Sequence, residues 1–96
     1  MKREVKLTYL KKAKKFLDKN QSVITEDEVD ALVLKSIQKS LFNIETNIDC
    51  KQLQGELRGY YRIRKGNVRI IIQIRDNEIL IEAIINDIGF RGDVYK

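Results

Sequence analysis

The chain has no histidine and only one cysteine, Cys50, in 96 residues. Neither an internal disulfide nor a Cys/His zinc site can be built from that inventory, so no metal and no cofactor is expected. Any catalysis must come from groups other than imidazole. No apolar run approaches the length of a membrane span, and the opening MKREVKLTYLKK sets basic residues ahead of no apolar core of a signal peptide. A cytoplasmic chain without membrane contact is expected. There is no low-complexity tract, no internal repeat and no linker-like segment. With 43% apolar and 34% charged residues, what remains is one domain, residues 1–96, with a single modest core.

The formal net charge of +5 is modest, but it is unevenly spread. Residues 1–19 hold eight basic and two acidic groups, residues 20–50 two and six, and residues 51–96 nine and six. Lysines 11, 12, 14, 15 and 19 fit a solvated helix face, and Lys11 and Lys15 equally fit the electrostatic footprint of a polyanion-binding protein.

Periodicity divides the chain into a helical first half and a β second half. Glu4–Leu7 reads as a short strand, and Thr8 as the N-cap of a helix reaching about Lys19, with Tyr9, Leu10, Ala13, Phe16 and Leu17 as its apolar stripe. Thr25 and Glu28 form a capping box for a second helix, and Ile24 can staple onto Val29. The core face of that helix is Val29, Leu32, Val33, Ile37, Leu41 and Ile44. A short connection makes the two helices an antiparallel hairpin. Three β-branched runs follow, at about 59–65, 68–75 and 78–85, with turn signals at Gly66-Asn67 and Asp76-Asn77. The expected fold is α+β, in the order β-α-α-β-β-β, with the hairpin on one face of a small, mostly antiparallel sheet. The end, from Asn86 onward, reads as a loop or irregular segment.

The stretch GYYRIRKGNVRIII decides which face carries chemistry. Alternation puts Ile63 with Ile70, Ile72, Ile74, Ile79, Ile81 and Ala83 on the face beneath the helices. Tyr60, Arg62, Arg64, Arg69, Gln73, Arg75, Glu78 and Glu82 fall on the other, with Ile71, Leu80 and Ile84 among them, partly exposed. A two-residue turn at Gly66-Asn67 sets Lys65 against Val68 and Arg64 against Arg69. Like charges opposed on a sheet cost roughly 0.2–1 kcal/mol per pair, so stability alone gives no reason for this arrangement. An anionic partner does. The plain alternative is that Glu56, Glu78 and Glu82 neutralise the three arginines on an ordinary sheet.

Taken together, KQLQGELRGYYRIRKGNVRIIIQI and the ending IGFRGDVYK resemble the RelE/ParE superfamily of bacterial toxins, in particular its RelE-like branch, and the helical hairpin fits that likeness. The resemblance implies the toxin of a type II toxin–antitoxin system, an endoribonuclease (mRNA interferase) that enters the ribosomal A site, cuts messenger RNA and inhibits translation. It also implies a small, acidic, DNA-binding antitoxin as partner. Carried over by position, Arg62, Arg64, Arg69, Arg91 and Tyr95 form the catalytic set. Lys65, Arg75, Tyr60, Lys11 and Lys15 are expected to contribute RNA binding. Phe90 stands where many relatives place a histidine before the tail arginine. Arginine stays protonated to above about pH 12, so Arg62 and Arg64 are stabilisers of phosphorane charge and not proton acceptors. Tyr95 is then the foremost proton-transfer group and Glu82 a more remote one. The same fold also serves ParE-like inhibitors of DNA gyrase, and a non-catalytic RNA- or ribosome-binding module fits the missing histidine.

Overall fold

The computed structural model describes residues 4–55, 59–76 and 80–90. In chain order its elements are β1 (Glu4–Tyr9), α1 (Lys11–Lys19), α2 (Glu26–Leu41), β2 (Asp49–Gln52), β3 (Tyr60–Lys65), β4 (Val68–Asp76) and β5 (Leu80–Phe90). The strands form one sheet in the order β1-β5-β4-β3-β2. Only β1 and β5 run parallel; every other pair is antiparallel. The α+β class, the helical hairpin and the three-strand meander are as the periodicity predicts.

The capping box forms as expected. Thr25 Oγ1 accepts from the Glu28 backbone N–H at 3.2 Å, and Glu28 Oε1 accepts from the Thr25 N–H at 3.2 Å. Ile24 and Val29, the stapled pair, are both buried. At its other end α2 stops earlier than its apolar period suggests. Asn43 adopts φ 57°, a left-handed conformation that ends helices, and the Ile44 N–H donates to the Gln38 carbonyl at 3.0 Å. Ile44 is therefore 49% exposed and is not a core residue. Ser36 lies fully buried on the apolar side of α2, where its hydroxyl donates to the Val33 carbonyl at 2.7 Å.

Three further expectations give way to tertiary pairing. Thr8 is not a helix cap: β1 continues through it to Tyr9, Thr8 stands opposite Ile84, and its hydroxyl donates to Glu82 at 3.3 Å. The Leu10 N–H then bonds the Ile85 carbonyl, so α1 begins at Lys11 with no side-chain cap. A fifth strand, β2, pairs with β3 at the sheet edge. Finally, β5 runs on through Asn86 to Phe90, where a loop was expected. Ile72 pairs with Ile85 but Ile71 with Asp87, so Asn86 is an inserted bulge residue. The insertion shifts the alternation by one. Ile81, Ala83 and Ile85 face the core before it, and Ile88 faces the core after it.

The core lies between the helices and one sheet face. Ala13, Leu17, Val29, Val33 and Ile37 pack there with Ile63, Ile70, Ile72, Ile81 and Ala83, while Ile74 and Tyr61 are partly buried at its rim. Ile79 lies outside the described residues. A polar pin joins the helices to β1. Tyr9 donates its phenol to Asp30 Oδ1 at 2.5 Å, and Lys14 Nζ sits 2.8 Å from Glu26 and 5.8 Å from the centre of the Tyr9 ring. Burial first, then the hydrogen bond and charge of Asp30, hold the Tyr9 phenol well above the ordinary tyrosine range.

Candidate nucleic-acid interface

The face away from the helices is organised by the hairpin of β3 and β4. Gly66 takes φ 57° while Asn67 keeps a negative φ, the pattern of a type II′ turn, which matches the strand twist. With that turn, Lys65 opposes Val68 and Arg64 opposes Arg69, the register expected from the sequence. Two rows of side chains then cross the sheet. One contains Asp49, Arg64, Arg69 and Gly89; the next contains Lys51, Arg62, Ile71 and Asp87. Tyr60 stands beyond Arg62 on the same face, opposite Gln73.

Arg62 and Arg64 are not splayed into solvent, and of the carboxylates in the plain alternative only Glu82 is among the described residues. The Arg62 side chain is 11% exposed and that of Arg64 is 31% exposed. Among the described residues, Asp49 is the carboxylate that meets Arg62 and Arg64: its Oδ1 lies 2.8 Å from Arg62 Nη2 and its Oδ2 lies 3.8 Å from Arg64 Nε. The short contact is diagonal, because Asp49 stands directly across from Arg64 and Lys51 across from Arg62. Diagonal neighbours on an antiparallel pair are about 7–8 Å apart at the backbone, within reach of an arginine. The Nε groups of Arg62 and Arg64 are buried with no hydrogen-bond acceptor among the described residues. Ile71, expected to be partly exposed, is 4% exposed. It lies on the inner strand β4 with Arg62 directly across, and long arginine stems cover apolar neighbours.

Other residues named from the sequence are dispersed. Arg75 shares the open face but follows Arg69 by six residues, roughly 20 Å along the strand, and it opposes Glu82. Glu82, the remote candidate for proton transfer, accepts from Thr8 at that distant end and is not beside Arg62 or Arg64. Lys65 turns to the helix side, where its Nζ is 3.3 Å from Glu28 Oε2. That contact and the Thr25 N–H lower the Glu28 pKa. Lys11 and Lys15 are exposed on α1, in the helical layer, while their neighbour Lys12 reaches Asp87 at 3.2 Å. Arg91, Tyr95, Glu56 and Glu78 lie outside the described residues.

Asp49 is the residue that sequence reasoning missed. The signal was the short alternation Ile48-Asp49-Cys50-Lys51, too brief to stand out as a strand. Cys50, its neighbour on the core side, is half-buried, and desolvation raises its thiol pKa, so it is not a ready nucleophile. Among the described residues no cluster of His, Cys, Asp and Glu could hold a metal ion, and no helix is long and apolar enough to cross a membrane.

Fold and face define a class: a small α+β protein with a helical layer on one side of its sheet and a compact arginine group on the other. No protein-family profile matches the chain, and no curated relative does. Solved structures do. A copper-bound mutant toxin from Helicobacter pylori is similar with a TM-score of 0.67 at 20% identity, over 94% of this chain and 98% of that one. A chain of the DinJ–YafQ toxin–antitoxin complex from E. coli is similar with a TM-score of 0.63 at 15% identity, over 100% of each chain. A chain of the RelB–RelE antitoxin–toxin complex from Methanococcus jannaschii is similar with a TM-score of 0.53 at 23% identity, over 92% of this chain and 94% of that one. The chain shares its fold with these solved structures.

Proposed function

We propose that this chain is the toxin of a type II toxin–antitoxin pair and that it arrests translation by cutting messenger RNA. One observation carries the reading: Arg62, Arg64 and Arg69 are gathered in adjacent rows of one face, with Arg64 and Arg69 directly opposed. Opposed guanidiniums cost a sheet roughly 0.2–1 kcal/mol, and a bound phosphodiester offsets that cost.

Cleavage by the RNA's own 2′-hydroxyl needs that proton removed, negative charge stabilised on the five-coordinate phosphorus, and the 5′-oxygen protonated as it leaves. The arginines answer the second need. Guanidinium forks match phosphate oxygens, and one well-placed donor of this kind contributes on the order of 10²–10³ in rate. Tyr60 lies on the same side as Arg62 and offers a ring for a base to stack on. By the family resemblance, Arg91 adds a further guanidinium and Tyr95 the proton transfer. A small acidic antitoxin is the fitting partner for a face of this charge.

Induction of the chain without a partner, followed by pulse labelling, tests the reading. Protein synthesis is expected to stop first, with cut messenger on ribosomes. Failure of DNA synthesis and supercoiling while translation continues would transfer the protein to the gyrase-inhibitor class. Arrested translation with intact messenger would leave a binding module that does no chemistry.

A further inference from the structure

We infer that Asp49 is a resident counter-anion of the arginine group, displaced when a phosphodiester binds, and that it sets the affinity of this face for RNA. The inference rests on the reading of the face as an RNA-binding surface. A carboxylate and a phosphodiester each present two oxygens and one negative charge to a guanidinium fork. Asp49 already does so, with one oxygen toward Arg62 at 2.8 Å and the other toward Arg64 at 3.8 Å. It stands where one phosphate group would be held.

Three features mark it as displaceable. Its side chain is 50% exposed, so leaving the pair returns it directly to water. It sits on β2, a four-residue edge strand whose one neighbour in the sheet is β3. Finally, one carboxylate cannot satisfy this site. Two guanidiniums carry about ten N–H donors against about four acceptor positions on a carboxylate. Accordingly, Nε of Arg62 and Nε of Arg64 are buried with no acceptor within hydrogen-bond distance among the described residues. A carboxylate serving only as a structural clamp would be expected to close those donors. Here they stay unmet, so Asp49 does not close the site as a full partner would.

The test uses the full chain and two probes: a short single-stranded RNA with 2′-O-methyl riboses, which cannot be cleaved, and inorganic phosphate. Asp49→Asn keeps the shape and removes one unit charge about 5 Å from the bound phosphorus, for which near-bulk screening gives about three- to tenfold tighter binding. Both probes should show this gain, and it should vanish when Arg62→Gln is already present, because no clamp remains for Asp49 to occupy. With cleavable RNA, the gain should appear in KM and not in kcat. Should Asp49→Asn not fold, Asp49→Ser and the Nε–Hε signals of wild-type Arg62 and Arg64 during phosphate titration give the same decision. Equal or weaker binding by a folded Asp49 variant would overturn the proposal and make Asp49 a structural clamp, as would unmoved Nε–Hε signals. Tighter phosphate binding without any RNA binding would instead reject the RNA reading and leave Asp49 as the counter-anion of another phosphate ligand.

Discussion

Replacing Arg64 by glutamine should separate activity from stability. Arg64 opposes Arg69 across the β3–β4 pair, and its one ion pair with a described partner is the long, 3.8 Å contact to half-exposed Asp49. Glutamine removes a like-charge opposition of roughly 0.2–1 kcal/mol and an exposed ion pair of about 0–1 kcal/mol, effects of opposite sign. The net change in unfolding free energy should stay within about 1 kcal/mol, or at most about 8 °C in Tm for a domain of this size. The loss of one guanidinium from the transition state should cost about 10²–10³ in the chemical step, equivalent to about 2.7–4 kcal/mol. Single-turnover cleavage on programmed ribosomes, run beside urea unfolding, measures both. Cleavage retained within a few-fold would refute the assignment of Arg64 to catalysis. An unfolding free energy lowered by about 3 kcal/mol would show that Arg64 is part of the fold's own support.

The capping box gives a prediction that concerns stability alone. Thr25→Ala should lower the unfolding free energy by about 1 kcal/mol, because the Glu28 N–H loses its acceptor, and an unchanged urea midpoint would show the cap to be unused. Tyr9 gives a prediction in pH. Its folded pKa lies above the unfolded value near 10, so the folded chain holds a proton that the unfolded chain releases. The contribution is fully present below about pH 10 and is lost as pH rises above it, so unfolding should become easier in that range. Tyr9→Phe should flatten this alkaline decline while costing about 1.5–3 kcal/mol at neutral pH, the value of a hydrogen bond to a charged group such as Asp30. An equally steep decline in Tyr9→Phe would place the titration in Lys14 or another tyrosine.

Local chemistry determined much of this protein without help from the fold. The Thr25–Glu28 box, the Ile24–Val29 staple, the Gly66-Asn67 turn and the opposition of Arg64 and Arg69 all depend on residues within a few positions of one another. Short-range sterics and hydrogen bonding fix such features wherever the segment goes. The alternation that put Ile63, Ile70 and Ile72 beneath the helices is of the same kind, since a one-residue slip would expose every one of them.

Apart from the early end of α2 at Asn43, the departures in secondary structure lie where a distant strand made the decision. Thr8 is extended because β5, more than seventy residues later, offers hydrogen bonds to β1 that a cap could not match. Asn86 reads as the start of a loop because a bulge hides the continuity of β5 from any test for period two. The alternation around Asp49 is too brief to mark a strand, and that strand exists because β3 has an open edge to pair with. That pairing changed the chemistry, giving Arg62 and Arg64 a shared carboxylate on an adjoining strand. Periodicity can assign a side chain to a face, but which charge stands beside it is settled by strand order and register, and those follow from burying the whole core at once.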